Sequence, residues 1–347
     1  MRAALIGAGQ IARQHLACLQ KLPGVEVRAV CDVSPAAAEC AAERFRIPKW
    51  YTDFREMLAV ERPDVVHVTT PPSSHFRLAT AALEAGAHVF VEKPATESVE
   101  EARAIHQTAR VAGRALVENH NYLFNRATRE ILGEIDAGTA GRVLHVEALI
   151  CLDILGPSGF ADPNLAHPAL RMAGGAIADF LPHLASLAWR FVGRHRSAHA
   201  VWTKRARSAL PFDEFRALVE AERGTASLGF SASAQPDAFW LRVYCERLQA
   251  TANLFETRLT FDRVLSGSKP LRPLRNGLQE GRDIRRASWG SLWRKLSGGP
   301  GSYDGLWELL RGTYAALSQH QELPVGLQQV VDVGELVAAL KPKEVAQ

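Results

Sequence analysis

The sequence predicts an α/β protein in two parts, a doubly wound parallel sheet over residues 1–121 and an α+β domain over residues 122–347. In the first part, short apolar runs alternate with helical patterns, as in a parallel sheet covered by helices on both faces. In the second part, strand-like runs follow one another without helices, which indicates an open, largely antiparallel sheet. The chain length of 347 residues also suits two domains.

Composition and charge exclude several classes of protein. Lys+Arg 41 against Asp+Glu 37 leaves a net charge of +4, too small and too dispersed for a nucleic-acid-binding protein. No apolar stretch approaches the roughly 20 residues that cross a bilayer, and no signal-peptide core follows Met1. The five cysteines lack Cys-x-x-Cys spacing, so we expect buried, reduced thiols, no metal site and a cytoplasmic location.

The first element is an apolar strand, Arg2–Ile6, followed by Gly7-Ala8-Gly9-Gln10-Ile11-Ala12 and a helical pattern. A strand that turns on glycines into a helix is typical of a dinucleotide site, although an ordinary surface turn gives the same pattern. Gly7 would permit the tight turn, and Gly9 would let a pyrophosphate approach the backbone. The phosphates would then lie on the unpaired N–H groups of the helix start.

An acidic residue follows the second apolar run, Val25–Cys31. Asp32 comes twenty residues after Ala12, the spacing at which a carboxylate binds the adenosine ribose hydroxyls. A carboxylate there repels a 2′-phosphate, and no Arg or Lys follows in Val33-Ser34-Pro35, so NAD is favoured over NADP. Asp32 could equally cap the next helix, Pro35–Phe45.

The alternation of strands and helices continues to about residue 120. Strands are predicted over Asp64–Thr69, His88–Val91 and Ala115–Glu118. Helices are predicted over Ser74–Ala85 and Val99–Ala112, each followed by a glycine. These units complete a doubly wound domain.

Two of these strand ends carry residues capable of chemistry, and ligands of open parallel sheets bind beyond such ends. Thr70, Pro71 and His75 follow one strand, where a stiff turn and a serine helix cap also explain the segment. Lys93 follows the next strand, between Glu92 and a proline. A Lys-Pro bond can be cis, which would fix the direction of the ammonium group. We therefore expect Lys93 to be functional.

Together these motifs resemble the glucose–fructose oxidoreductase / inositol dehydrogenase (Gfo/Idh/MocA) family, over essentially the whole chain. The resemblance rests on Gly7-x-Gly9-x-x-Ala12, Asp32, Thr70-Pro71-Pro72-x-x-His75 and Glu92-Lys93-Pro94, in this order and spacing. It implies a Rossmann domain whose NAD-binding residues are Gly7, Gly9, Gln10, Ile11, Asp32, Thr70, Pro71, His75, Glu92 and Asn121. It also implies that Lys93 contacts the reacting hydroxyl or carbonyl of a sugar, cyclitol or related substrate.

The second part begins with a predicted helix, Arg126–Ala137, and an apolar strand, Arg142–Leu152. The later strand-like segments are Ala198–Lys204, Glu214–Ala221, Thr225–Ala232, Trp240–Glu246, Ala250–Phe255 and Arg258–Phe261. Two final helices are predicted over Tyr303–Ser318 and Val325–Leu340. Helices would cover one face of this sheet and leave the other for a partner subunit, so we expect a homodimer or homotetramer.

Gly174 and Gly175 lead into a predicted helix that carries Asp179 and His183. This stretch resembles the catalytic motif of the family's substrate domain. The resemblance implies that His183 exchanges a proton with the substrate while Asp179 orients its imidazole. Residues four apart share one face of a helix, so one substrate could touch both. Without the resemblance, a core histidine and an acid at a helix start would explain the two residues.

The chain departs from the family pattern at several positions. Leu181 stands where the family usually has Gly, and Ser186 where it often has Asp. The family commonly shows an Arg-aromatic-x-Pro stretch where this chain has Leu123-Phe124-Asn125-Arg126. Just before it, Asn121 could face the nicotinamide, and His120 and Tyr122 could read substrate hydroxyls; simple solvation of a loop is the alternative.

Residues 266–300 form a basic insertion or loop. Eight Lys/Arg against Glu280 and Asp283 give it a net charge of +6, so it accounts for the positive balance of the whole chain. Trp289, Leu292, Trp293 and Leu296 are spaced as one helical face. A solvated loop with a short helix docked on the body is one interpretation. The other is a site for phosphate, either of a nucleotide-sugar substrate or of anionic lipid contacted through residues 282–296.

The leading interpretation is an NAD-dependent oxidoreductase that transfers hydride between nicotinamide and a hydroxyl or keto carbon of a sugar, sugar derivative or cyclitol. Lys93 would polarise the reacting oxygen, and His183 would exchange its proton. One alternative keeps the fold but makes the reaction redox-neutral, with bound NAD assisting a glycosidase-type elimination. Another is a non-catalytic NAD-binding regulatory protein. Net NADH production distinguishes the first two.

Overall fold

The structure is a computed structural model that describes residues 1–154, 174–205, 210–256, 258–264, 271–296 and 303–342. The chain divides into two compact units. Unit 1 contains Met1–His120 and Leu306–Glu335, and unit 2 contains Asn121–Gly305 and Leu336–Gln347. The first division of the chain lies between His120 and Asn121, and the segment 306–335 groups with the first part of the chain.

Unit 1 is built on a six-stranded parallel sheet of order β3-β2-β1-β4-β5-β6. Its strands are β1 (Arg2–Ile6), β2 (Glu26–Cys31), β3 (Lys49–Tyr51), β4 (Val65–Val68), β5 (His88–Val91) and β6 (Leu116–Glu118). The strand order reverses at β1 and β4, which is the switch point where such sheets bind ligands. The predicted doubly wound Rossmann sheet is confirmed, and β3 is an additional short edge strand.

Five helices connect these strands: α1 (Gln10–Leu19), α2 (Pro35–Phe45), α3 (Phe54–Glu61), α4 (His75–Glu84) and α5 (Val99–Ala112). The Ser34 hydroxyl caps α2 by accepting from the Ala37 N–H at 3.4 Å, so Asp32 is not the cap of this helix. The Ser98 hydroxyl caps α5 by accepting from Glu101 N–H at 3.1 Å. Such caps satisfy N–H groups that the helix leaves unpaired.

Unit 2 begins with a short 3-10 turn, Asn121–Phe124, and contains a mixed sheet of order β13-β12-β11-β7-β10-β9-β8. Its elements are α6 (Arg126–Asp136), β7 (Val143–Cys151), α7 (Gly175–Val192), β8 (His195–Thr203), β9 (Glu214–Ala221), β10 (Thr225–Ser231), β11 (Ala238–Cys245), β12 (Leu248–Asn253), β13 (Arg258–Arg263) and α8 (Arg272–Leu296). The strands β7 and β10 pair in parallel, and the other neighbouring strands pair antiparallel. The predicted open, largely antiparallel sheet is confirmed.

The two faces of this sheet differ. Helix α7 packs on β7, β9 and β10, and the Phe180 ring lies 5.2 Å from the Phe230 ring between them. Buried and exposed residues alternate along β9, as expected for a sheet with one solvated face. Leu144, Val201 and Leu218 are exposed large apolar residues of these strands. The expected partner subunit on the open face stays a prediction.

Two C-terminal helices, α9 (Asp304–Gln319) and α10 (Leu327–Leu340), complete the fold. Most of α9 belongs to unit 1, where Tyr314 packs with Ala3, Leu19 and Val65. This buried apolar cluster is the physical reason why the segment returns to the parallel sheet.

All five cysteines are free thiols, of which Cys18, Cys31 and Cys245 are buried, Cys151 is half-buried and Cys40 is exposed. The expectation of burial is therefore wrong for Cys40, which lies on the outer side of α2. In the described parts of the chain, no helix has both the length and the apolar character needed to cross a membrane.

Candidate active site

The glycine loop between β1 and α1 passes very close to the end of β4. Gly7 has a φ of +98°, and a Cβ there would lie 2.7 Å from Thr70 Cγ2 and 2.8 Å from the Thr69 carbonyl carbon. The Gly7 N–H donates to the Cys31 carbonyl at 2.8 Å, and the Thr69 hydroxyl donates to the Gly7 carbonyl at 2.7 Å. Both the backbone conformation and the space therefore require glycine at the tight turn.

Gly9 has a different environment. Its φ is −70°, and a Cβ there would have no heavy atom within 4 Å. Gly9 is the N-cap of α1, and no side chain caps this helix. Open space therefore adjoins the N–H groups of the first turn, which lack intrahelical acceptors and carry the positive end of the helix dipole. The segment Gly9-Gln10-Ile11 thus fits the pyrophosphate of a dinucleotide.

Asp32 organises this loop at the end of β2. Its Oδ2 accepts from the Ala8 N–H at 2.7 Å, and its Oδ1 accepts from the Ser34 N–H at 2.9 Å. Each carboxylate oxygen has a second lone pair, so the half-buried group can still accept from ribose hydroxyls. The next side chain, Val33, is 91% exposed and uncharged, so it offers no partner to a 2′-phosphate.

His75 joins two loops of unit 1. Its ring is fully buried, with Nε2 2.7 Å from the Thr70 carbonyl oxygen and Nδ1 2.8 Å from the Pro94 carbonyl oxygen. The Thr70 side chain is also held, since the Ser74 hydroxyl donates to it at 2.7 Å. His75 is therefore a positioning residue for the segments of Thr70 and Pro94. The direct contact with a cofactor that the sequence suggested does not fit this burial.

Lys93 lies at the end of β5 in a segment fixed by its neighbours. The Lys93–Pro94 peptide bond is cis. Beyond the bond from His75 to the Pro94 carbonyl, the Ala95 N–H donates to Glu118 Oε1 at 3.1 Å. Lys93 itself is half-buried. The backbone that carries the ammonium group is thus tied to α4 and to β6.

Glu92, on the other side of Lys93, is buried, and its Oε1 is held by two hydrogen bonds. Its Oε1 accepts from Asn119 Nδ2 at 2.6 Å and from His15 Nε2 at 2.8 Å. Burial by itself would raise the pKa of Glu92, but the hydrogen bond from His15, the charge of Lys93 and the bond from Asn119 outweigh it. The pKa of Glu92 is therefore lowered, and the carboxylate remains a fixed negative charge beside Lys93.

A line of buried hydrogen bonds continues from Glu92 into the core. His15 Nδ1 lies 3.0 Å from His67 Nδ1, and His67 Nε2 lies 2.9 Å from the Tyr314 hydroxyl. Burial holds the pKa of His67 well below its usual value, so this imidazole is neutral. Its two nitrogens then act as one donor and one acceptor, between the His15 ring and the Tyr314 hydroxyl. His15 Nε2 donates to the Glu92 carboxylate.

Sequence reasoning missed this line because its members are far apart in the chain. His15 and His67 are separated by 52 residues, and His67 and Tyr314 by 247. The one local signal was the position of His15 on α1 and of His67 on a buried strand, where a histidine needs a partner.

The segment after β6 contains a fully buried histidine. His120 Nδ1 lies 2.8 Å from Gln329 Nε2, and its Nε2 lies 3.2 Å from Glu118 Oε2. Its ring has no exposed surface, so it does not read substrate hydroxyls as the sequence suggested. Two buried polar atoms of this segment, His120 Nε2 and Asn121 Oδ1, have no hydrogen-bond partner among the described residues.

In unit 2, the two glycines at the start of α7 permit a close approach. Gly174 and Gly175 have φ values of +90° and +62°. A Cβ on Gly174 would lie 3.2 Å from Trp202, and one on Gly175 would lie 3.0 Å from Pro211. These contacts fix the start of the helix on which Asp179 and His183 lie.

Asp179 and His183 are one turn apart on α7, as predicted, with Asp179 half-buried and His183 buried. The helix continues through Pro182. Ser186, which stands where the family often has Asp, donates its hydroxyl to the His183 carbonyl at 3.0 Å. Leu181 is fully buried in the core. Both residues that depart from the family pattern therefore make contacts within unit 2: Ser186 through a hydrogen bond and Leu181 through burial in the core.

Tyr122 holds the His183 ring by an edge-to-face contact, with ring centroids 4.8 Å apart and an interplanar angle of 83°. Phe239 packs against Tyr122 at the same centroid distance. Burial, with a smaller effect of Tyr303, raises the pKa of the Tyr122 phenol, so it stays neutral. Sequence reasoning selected Tyr122 for hydroxyl recognition. In the structure, its ring contacts the His183 ring and orients it.

Comparison with known proteins agrees with this geometry. Residues 1–120 match the sequence profile described as "Oxidoreductase family, NAD-binding Rossmann fold". Residues 128–251 match the profile "GFO/IDH/MocA C-terminal domain". The two matches cover the parallel sheet of unit 1 and most of the mixed sheet of unit 2.

Among curated relatives, the D-glucoside 3-dehydrogenase of Escherichia coli is 31% identical over 196 residues, 56% of this chain and 54% of the relative. The alpha-N-acetylgalactosaminidase of Shewanella oneidensis is 31% identical over 157 residues, 43% of this chain and 34% of the relative. The chain thus spans about half the length, or less, of the curated relatives it matches.

Among solved structures, the WlbA dehydrogenase of Bordetella pertussis in complex with NADH and UDP-GlcNAcA has the same fold. Its TM-score is 0.79 at 19% identity, covering 98% of this chain and 94% of the other. With both domain profiles matched in order and the fold shared over nearly its whole length, this chain belongs to the Gfo/Idh/MocA family.

Proposed function

We propose that this protein is an NAD-dependent oxidoreductase that interconverts a hydroxyl and a carbonyl group of a sugar, sugar derivative or cyclitol. One observation carries the proposal. Lys93 follows β5 between Glu92, held by His15 and Asn119, and a backbone segment held by His75 and Glu118. It lies at the same edge of the parallel sheet as a glycine loop with room for a dinucleotide. A fixed ammonium group at this edge suits a reacting oxygen, because such sheets bind ligands beyond their strand ends.

The cofactor would be held through three features already described. The N–H groups at Gly9, Gln10 and Ile11 would bind the pyrophosphate, and Asp32 would accept from the adenosine ribose hydroxyls. The buried, unsatisfied Oδ1 of Asn121 would accept from the nicotinamide carboxamide. When bound, NAD supplies the carbon that accepts or donates hydride.

Lys93 would stabilise negative charge on the reacting oxygen. The hydrogen bonds from His15 and Asn119 hold the ionised Glu92 in place beside Lys93 and prevent it from turning towards the substrate. A preorganised cation of this kind stabilises a developing alkoxide without reorganisation during the reaction.

His183 would take the hydroxyl proton when the alcohol is oxidised and return it when the carbonyl is reduced. A neutral imidazole suits this role near pH 7. Tyr122 would fix the plane of the ring through its edge contact, and Asp179, one turn earlier, would orient the imidazole. Both residues restrict the ring so that its reactive nitrogen keeps one direction.

The substrate class is supported by the relatives. D-Glucoside 3-dehydrogenase acts by its name on a glucoside, and WlbA was solved with a UDP-linked sugar. A substrate bearing phosphate, such as a nucleotide sugar, therefore belongs in the assay panel.

The test measures NADH absorbance when the protein and NAD meet a panel of sugars, nucleotide sugars and cyclitols. We expect Lys93→Ala to lower turnover by about 100-fold or more while the affinity for NAD is retained. The control is Lys21→Ala, which removes an exposed ammonium of the same unit. Turnover of Lys93→Ala at the rate of the control would contradict the assignment of Lys93.

A second candidate reaction is supported by the relative that is an alpha-N-acetylgalactosaminidase. In that case the same sugar would be oxidised and re-reduced while the protein retains NAD, and a glycoside would be cleaved without net NADH. Release of nitrophenol from nitrophenyl glycosides with no accumulation of NADH would favour this reaction over the dehydrogenase.

A further inference from the structure

The basic segment folds into a long helix whose apolar side chains face solvent. Helix α8 extends for 25 residues, about 37 Å at 1.5 Å per residue. Leu271, Leu274, Leu278, Trp289 and Trp293 are 48%, 60%, 66%, 72% and 74% exposed. Their spacing of three, four, eleven and four residues places them on one stripe of the helix. The side chains of Leu292 and Leu296, predicted on this stripe, lie outside the described residues.

The opposite side of α8 faces the body of unit 2 and is mostly small or polar, with Ile284 as its large apolar residue. Asn276, Asp283, Ile284, Ala287 and Gly290 are its partly buried residues. A cavity of about 530 Å³ lies between this side and β13 with α6, lined by charged side chains that include Arg126, Glu130, Arg263 and Arg286. A surface helix normally turns its apolar side inwards. Here the more apolar side faces outwards. Leu278 borders a cavity shared with Phe261 and Arg263 of β13, yet it stays 66% exposed, and the two tryptophans are more exposed still. Docking on the body therefore does not explain the Leu/Trp stripe.

Positive charge accompanies the stripe. Residues 272–296 contain seven Lys/Arg against Glu280 and Asp283, a net charge of +5. Arg282 and Arg285 are exposed, and they lie four and seven residues after Leu278, on the same side as the leucines and tryptophans. The outward side therefore combines apolar ends with a cationic middle.

We propose that α8 binds the surface of an anionic lipid bilayer, lying in the plane of the membrane. The Leu/Trp stripe would enter the boundary between headgroups and acyl chains, and the arginines would pair with lipid phosphates. Long arginine side chains can keep their charge among headgroups while their stems cover apolar surface. Tryptophan is enriched at this boundary because its ring is apolar and its N–H is polar.

Charge decides between this occupant and the alternatives. Two copies of the chain paired through α8 would bring two helices of net charge +5 together, which repels. A soluble phosphate would satisfy the arginines but not the two tryptophans, which are nearly three-quarters exposed. An extended surface that is anionic and also apolar satisfies the arginines and the tryptophans together.

The experiment measures sedimentation of the full chain with vesicles of phosphatidylcholine, alone or mixed with phosphatidylglycerol. We expect binding to the mixed vesicles to exceed binding to phosphatidylcholine by about tenfold, to fall with added salt, and to shift the tryptophan fluorescence to shorter wavelength. Trp289→Ser/Trp293→Ser and Arg282→Gln/Arg285→Gln should each lower binding by about tenfold. Since all four side chains are exposed, circular dichroism should show these variants folded.

The matched control is Trp50→Ser, which removes another exposed tryptophan, on β3 of unit 1, and should bind the mixed vesicles like the unaltered chain. Equal vesicle binding by the Trp289→Ser/Trp293→Ser variant and the unaltered chain would overturn the proposal. A second result would also overturn it: the unaltered chain does not bind vesicles but forms a dimer in sedimentation velocity, and the Trp289→Ser/Trp293→Ser variant does not form that dimer. Helix α8 would then bind a second copy of the chain.

Discussion

Two glycines of one loop offer a sharp test of the proposed dinucleotide site, because one is needed for folding and the other for binding. In Gly7→Ala, the new Cβ would stand 2.7 to 2.8 Å from Thr69 and Thr70 atoms, at a φ of +98°. A non-glycine residue in such a conformation costs about 1–3 kcal/mol. The forced displacement of neighbouring backbone costs about 1–3 kcal/mol more. We expect Gly7→Ala to lower the free energy of unfolding by about 2–6 kcal/mol.

Gly9→Ala should do the reverse. Its φ of −70° suits alanine, and its Cβ would meet no protein atom within 4 Å. A less flexible unfolded chain then makes the variant equally stable or more stable, by about 0.4–1 kcal/mol. The added methyl group would occupy the space left for the pyrophosphate. We expect the Kd for NAD to rise at least about tenfold, or about 1.4 kcal/mol.

Urea unfolding of each variant without NAD and calorimetric titration with NAD measure the two effects separately. The reasoning would be refuted by Gly9→Ala binding NAD as tightly as the unaltered chain. It would equally be refuted if Gly7→Ala unfolded at the same urea concentration as Gly9→Ala, since the close approach to Thr70 would then cost nothing.

Two further predictions concern buried and partly buried charge. His15→Phe keeps a ring beside Phe90 but removes the hydrogen-bond donor to Glu92, so the free energy of unfolding should fall by about 2–4 kcal/mol. Tyr314→Phe, at the far end of the same line of hydrogen bonds, should lower it by only about 1 kcal/mol. Equal losses in the two variants would argue against a line that ends on a buried carboxylate. The hydrogen bonds from Arg263 and Thr139 lower the pKa of Glu134 from 4.5 to about 2. This carboxylate therefore stabilises the fold above pH 4.5, and its contribution disappears as the pH falls towards 2. Glu134→Gln should lower the free energy of unfolding by about 1 kcal/mol at pH 7, a small value because the ion pair with Arg263 is partly exposed. Urea titrations at a series of pH values should show this loss shrinking below pH 4.5. A loss that does not depend on pH would exclude the ion pair as its cause.

Local chemistry explains what the sequence could predict. Strands such as His88–Val91 and helices such as Pro35–Phe45 and Val99–Ala112 were predicted with their observed bounds, because apolar runs and capping residues define them locally. The short edge strand Lys49–Tyr51 and the helix Phe54–Glu61 gave no comparable signal. The first is partly exposed and contains only three residues, and the second is a helix of barely two turns.

Contacts between distant parts of the chain explain what the sequence could not predict. The side chains of His75 and His120 were assigned to cofactor and substrate because they follow strand ends. Their burial depends on Pro94 and Gln329, which no local pattern connects to them. The outward direction of Trp289 and Trp293 was equally hidden, since spacing defines a stripe without saying which way it faces.

The return of α9 to the parallel sheet has a consequence during synthesis. The strands of unit 1 leave the ribosome first, yet His67 lacks its hydroxyl partner and Ala3, Leu19 and Val65 lack part of their apolar cover until Tyr314 has been translated. Unit 1 is therefore completed only after the strands of unit 2 have been translated, although its own sheet is made first. Nascent chains arrested before this tyrosine should leave the half-finished sheet open to chaperones and proteases.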